Sequence, residues 1–119
     1  MSLKYFTYEE FDSPDLGNSG INMDRNFLQK LELAREIAGI PFKINSGYRT
    51  KEHNRKVGGK EKSSHLIGKA ADVAYANSRE RWVIITALQD AGFNRLGIAK
   101  GFVHVDSDTS KSPNVIWTY

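Results

Sequence analysis

Two short stretches carry side chains whose types and spacing suit metal chemistry: SSHLIGKAADVAY, residues 63–75, and FVHVD, residues 102–106. In the first, six residues separate His65 from Asp72, and in the second, one residue separates His104 from Asp106. The chain has three histidines and no cysteine, so any bound metal must be held by His, Asp or Glu. Two imidazoles and one carboxylate with a fourth position open make the donor set of a catalytic zinc, and an open two-histidine, one-carboxylate set also suits iron. A lone histidine in a small domain is more often structural or solvated, so it is the joint pattern of His65, Asp72 and His104 that points to a metal. The third histidine, His53, lies in the charged run KEHNRK and reads as part of a solvated helix face.

The candidate ligands are far apart along the chain, so the fold must bring them together. Residues 70–76 alternate as a strand, with Ala71, Val73 and Tyr75 on one face and Ala70, Asp72 and Ala74 on the other, which leaves room above Asp72. In FVHVD, His104 and Asp106 share a face while Val103 and Val105 pack behind them. If these two strands are neighbours, Asp72 and His104 converge, and His65 joins them from the preceding loop.

The elements around this pair follow from periodicity and punctuation. Phe27, Leu28, Leu31, Ala34, Ile37 and Ala38 recur at helical spacing from about Asp24, with Gly39 and Pro41 as a stop. Residues 42–48 read as a strand entering a turn, and residues 49–64 as a short helix and a long loop. A second helix is predicted with Ser78 as its N-cap and Trp82, Ile85 and Leu88 as its core stripe, ending before Gly92. Lys100-Gly101 marks a hairpin and VIWTY a closing strand, with Trp117 and Tyr119 at a sheet edge or cleft rim. The first 20 residues, anchored by Tyr5, Phe6, Tyr8 and Phe11, read as an extended arm with one helical turn near Tyr8 to Phe11. This order predicts an α+β domain with a small, mainly antiparallel sheet, and 119 residues suffice for one such unit.

Composition narrows the function classes. With 39% hydrophobic and 26% charged residues and no long apolar run, neither disorder nor a membrane span is expected. The formal charge of +3 comes from scattered basic residues, which predicts no nucleic-acid partner but suits an anionic wall polymer. Gly58-Gly59 lacks the spacing of a phosphate loop. The N-terminus has no apolar core of a secretory signal, so synthesis in the cytoplasm is expected.

Taken in order, SGYRTKEHN, VGG, SSHLIGKAADV and FVHVD resemble the zinc peptidoglycan peptidases. That family includes D-alanyl-D-alanine carboxypeptidases and phage endolysin L-alanyl-D-glutamate peptidases, and its fold is shared with the hedgehog signalling domain. The resemblance covers roughly residues 42–119 and implies helices packed on one side of the sheet. It implies zinc held by His65, Asp72 and His104, Arg49 at the oxyanion or scissile carbonyl, and Ser63 at a substrate carboxylate. The implied partner is the stem peptide of bacterial peptidoglycan, met by a monomer that acts on the cell wall, as a phage or prophage endolysin does. One position departs from the pattern: better-studied relatives carry Glu or Asp three residues before the second ligand histidine, where this chain has Gly101. Asp106 is then the expected catalytic proton carrier, or else it orients a ligand histidine. The rival expectation is a non-catalytic, zinc-containing module that binds wall peptides without cutting them.

Overall fold

The computed structural model describes residues 3–119. Five strands form one sheet in the order β1-β2-β4-β3-β5, where β1 is Lys43–Ser46, β2 Ala70–Ala74, β3 Arg95–Ala99, β4 Phe102–Asp106 and β5 Val115–Thr118. Every pairing is antiparallel except β3 with β5, which is parallel. The helices are α1, Arg25–Ala38, α2, Lys51–Lys56, and α3, Ser78–Asp90. Among the described residues no helix is long and apolar enough to cross a membrane.

The alternation of β2 and β4 gives the sheet two unlike faces. Ala71, Val73, Val103 and Val105 join Leu96 in a core completed by Phe27, Leu28 and Leu31 of α1 and Ile84 and Leu88 of α3. The opposite face carries Asp72 and His104, which are paired directly across β2 and β4. The predicted neighbouring of these strands is therefore what the fold contains.

α1 forms where its periodicity places it. Asp24 caps it by accepting from the Phe27 N–H at 2.9 Å, and Gly39 ends it in a left-handed conformation. Of its predicted core stripe, Ile37 is instead 45% exposed, whereas Ala38 is partly buried against the core.

α3 differs from expectation in two ways. Its N-cap is Asn77 rather than Ser78, with the Asn77 side chain accepting from the Glu80 N–H at 2.9 Å. Its buried residues are Ile84, Ala87 and Leu88, whereas Trp82 is 60% exposed and Ile85 only half-buried. At 100° per residue, two steps of three leave Trp82 about 120° around the helix from Leu88, too far to share the face against the sheet.

The arm is more ordered than predicted. A 3-10 turn at Tyr8–Phe11 is followed by a second at Ser19–Asn22, held where Asp12 accepts from the Gly20 N–H at 2.7 Å. Phe6 and Phe11 are buried, and their rings meet edge to face at 5.5 Å.

Candidate metal centre

Asp72 and His104 enter the site from adjacent strands, and His65 enters from a 3-10 turn, Ser64–Ile67, just before β2. Each offers one donor atom, all three atoms lie within 4.8 Å of one another, and all three residues are buried. His104 Nδ1 is 3.0 Å and His65 Nε2 3.3 Å from the same oxygen of Asp72, Oδ1.

The outer nitrogen of each ring is also engaged. His65 Nδ1 lies 2.7 Å from the Gly47 carbonyl, which can only accept, so that nitrogen carries the proton and Nε2 presents its lone pair to the cluster. His104 Nε2 lies 2.8 Å from Asp106 Oδ2, which leaves Nδ1 facing Asp72. Imidazoles braced through their far nitrogens are how proteins orient metal ligands. Two nitrogens and one oxygen, each aimed by a partner, form a donor set that fits zinc.

Electrostatics in the cluster are strongly coupled. Burial opposes ionisation of Asp72, but the hydrogen bond from His104 and the neighbouring His65 ring outweigh it and hold the carboxyl well below the usual carboxylate range. Burial likewise opposes the charged form of His104, yet its bonds to Asp106 and Asp72 raise its pKa above 6.5.

Asp106 is almost fully buried on the far side of the His104 ring from Asp72's partner nitrogen. Its Oδ2 accepts from His104, and its Oδ1 accepts from Arg95 Nε at 2.7 Å and from the Asp108 N–H at 3.2 Å. Asp106 thus contacts His104 at the nitrogen remote from Asp72. Position 101 lies in the tight turn between β3 and β4, where the backbone has φ of +95°, a region costly for any residue with a side chain. A carboxylate at that position would strain the turn, although a Cβ there would meet open space.

Arg49 stands beside the cluster, with Nη2 3.6 Å from Asp72 Oδ2. Its Nε donates to Ser46 Oγ at 3.1 Å and its Nη1 to Asn54 Oδ1 at 3.1 Å, while its backbone N–H donates to the His65 carbonyl. Ser63 is half-buried and accepts from the His65 N–H at 3.2 Å, capping the turn that carries His65. His53 lies on α2, whose cap is Thr50, outside the ligand cluster.

Several supporting groups escaped the sequence reading. The Gly47 carbonyl has no side-chain signature at all. Asn54 is buried and holds both Arg49 and the Lys60 carbonyl, at 2.8 Å; the sequence offers Asn54 as a brace for this loop but does not connect it to Arg49. Arg95 shows itself only once β3 is paired with β4.

No curated protein matches the chain. Residues 4–106, by contrast, match the family described as Peptidase M15, whose peptidases are zinc-dependent, and this span takes in Arg49, Ser63 and the whole His65, Asp72 and His104 cluster. With most of its length matched and a ligand set fit for that metal in place, the chain belongs to the M15 peptidases.

Proposed function

We propose that this chain is a zinc metallopeptidase that hydrolyses the stem peptide of bacterial peptidoglycan, as a carboxypeptidase or an endolysin-type endopeptidase. The observation that carries the reading is the His65, Asp72 and His104 cluster, with donor atoms within 4.8 Å of one another and both histidines braced from behind. When bound, zinc supplies a nucleophilic water at neutral pH and a Lewis acid for a carbonyl oxygen.

The chain's own residues do the rest. Asp72 accepts from His104 Nδ1 in the metal-free protein and would serve as the carboxylate ligand to zinc. Arg49, kept extended by Ser46 and Asn54, directs a permanent positive charge at the mouth of the cluster, where it donates to the oxygen of the bond being cut. Ser63, already fixed by the His65 N–H, keeps its own hydroxyl hydrogen for a substrate carboxylate. Asp106 holds His104 in the tautomer that frees Nδ1.

A second reading is favoured by one observation: Gly101 cannot carry a carboxylate and both oxygens of Asp106 are engaged. On that reading the domain holds zinc and binds wall peptides without cutting them. Incubating zinc-loaded protein with purified peptidoglycan and disaccharide-peptides, and following products by mass spectrometry, separates the two. Released D-Ala or a split stem peptide, absent with His65→Ala, is the expected result and names the bond. Intact substrates that nonetheless retain the zinc-loaded protein would establish the binding module instead.

A further inference from the structure

A row of paired residues crosses four strands on the metal-bearing face. Asp72 of β2 pairs with His104 of β4, His104 with Gly97 of β3, and Gly97 with Trp117 of β5. Paired side chains share a sheet face, so Trp117 and His104 lean toward one another over the glycine between them. A Cβ at position 97 would sit 2.5 Å from the indole Nε1 and 2.6 Å from Cε2, so only glycine lets the indole cross. The crossing brings the Trp117 and His104 rings to 5.5 Å between centroids, with planes inclined at 48°.

Trp117 also meets the guanidinium of Arg95, whose central carbon is 5.0 Å from the indole centre. Arg95 in turn donates to Asp106 Oδ1 at 2.7 Å, and Asp106 Oδ2 accepts from His104 Nε2 at 2.8 Å. These contacts close on themselves: His104 to Asp106, Asp106 to Arg95, Arg95 to Trp117 and Trp117 back to His104. Arg95 further donates to the Ser112 carbonyl, tying in the loop that returns the chain to β5 and so to Trp117.

We infer that Arg95 and Trp117 are positioning residues for the metal, acting through His104. The hydrogen bond to Asp106 sets which nitrogen of the imidazole is protonated, and together with the Nδ1 contact to Asp72 it fixes the line through the ring but not the ring's tilt about that line. Arg95 aims the Asp106 carboxylate, and the indole blocks the tilt, so Nδ1 stays pointed at Asp72 and His65. This rests on the zinc reading of the cluster.

The test uses the full chain and the Arg95→Gln, Trp117→Leu and Trp117→Phe variants. Zinc affinity is measured by competition with a chromophoric chelator, and the ring N–H protons of both histidines are followed by nitrogen-15 NMR in the zinc-loaded proteins. In the wild type, slowly exchanging protons are expected on His104 Nε2 and His65 Nδ1. Arg95→Gln and Trp117→Leu are expected to weaken zinc by about tenfold or more. They also expose the His104 proton while the His65 proton, anchored on Gly47, is unchanged. Trp117→Phe restores most of both. Unchanged affinity and an unchanged His104 proton in both variants overturn the inference. Loss of both histidine signals together overturns it as well, since the two residues would then serve the fold at large. A wild type that takes up no zinc defeats the zinc reading itself, a result distinct from either.

Discussion

His104 turns one ring nitrogen to Asp72 and the other to Asp106, so the state of the Asp106 carboxylate bears on both. A carboxylate that accepts from His104, Arg95 and a backbone N–H has both oxygens engaged and three of its roughly four acceptor positions taken. Burial opposes its ionisation, but His104 and Arg95 outweigh that and hold its pKa below the usual 3.8. A general base needs the opposite: a free oxygen and a pKa near the working pH. Asp106→Asn discriminates cleanly, because the amide keeps one acceptor oxygen but loses the charge that Arg95 and His104 share. The expected outcome is zinc binding weakened by about tenfold, with turnover per zinc-loaded molecule largely kept. Calorimetric titration of zinc and an assay at saturating metal check both halves. Full zinc affinity with turnover abolished would return Asp106 to the role of proton carrier.

At the scale of elements, the site is assembled from pieces with separate duties: β2 and β4 present Asp72 and His104, a 3-10 turn presents His65, and α2 governs Arg49. Asn54 sits in the second turn of α2, with its Oδ1 on Arg49 Nη1 and its Nδ2 on the Lys60 carbonyl. Asn54→Ala removes the acceptor that keeps Arg49 extended without touching any ligand. It should leave one zinc per chain while lowering kcat/KM by about tenfold, a fraction of the hundredfold or more that loss of a charge-stabilising donor itself costs. Metal analysis beside steady-state kinetics would show this, and lost zinc would mean that α2 braces the ligands too. The division also explains what was legible in the sequence. Period-two alternation fixed the facing of Asp72, His104 and Asp106, and the helix of Phe27 to Ala34 announced itself through spacing and caps. Arg95 and Trp117 were opaque, because their duties depend on β3 lying between β4 and β5, and pairing order is a property of the whole sheet. The Trp82 stripe misled for a related reason: apolar residues at three-residue spacing drift around a helix, and the sheet selects which of them is covered.

For the molecule as a whole, the two faces of the sheet separate folding from chemistry, and this sets how metal and pH act on stability. The valines of β2 and β4 and the helices close the core on one face, whereas the candidate ligands lie on the other, so removing zinc should loosen the site and leave the fold cooperative. In the metal-free protein the raised pKa of His104 contributes stability that is complete below about 6.5 and is lost as pH rises through the raised value. The lowered carboxyls of Asp72 and Asp106 work in the other direction: their contribution is present above about 3.8 and fades as pH falls below it. Metal-free stability is therefore expected to peak between those limits and to decline toward alkaline pH. Zinc has the reverse dependence, because it needs His104 Nδ1 without its proton, and its apparent affinity falls by about tenfold per pH unit once that proton must be displaced. Zinc at a hundred times its dissociation constant adds about 2.7 kcal/mol, which raises Tm by about 10 °C in a domain of this size. The Tm difference between zinc-loaded and chelator-treated protein should accordingly be slight at about pH 5.5 and reach that size at about pH 8, the treated protein still melting in one transition. Scanning calorimetry at both pH values checks it: a difference that ignores pH would deny His104 a place among the ligands, and a treated protein without a cooperative transition would make the metal part of the fold.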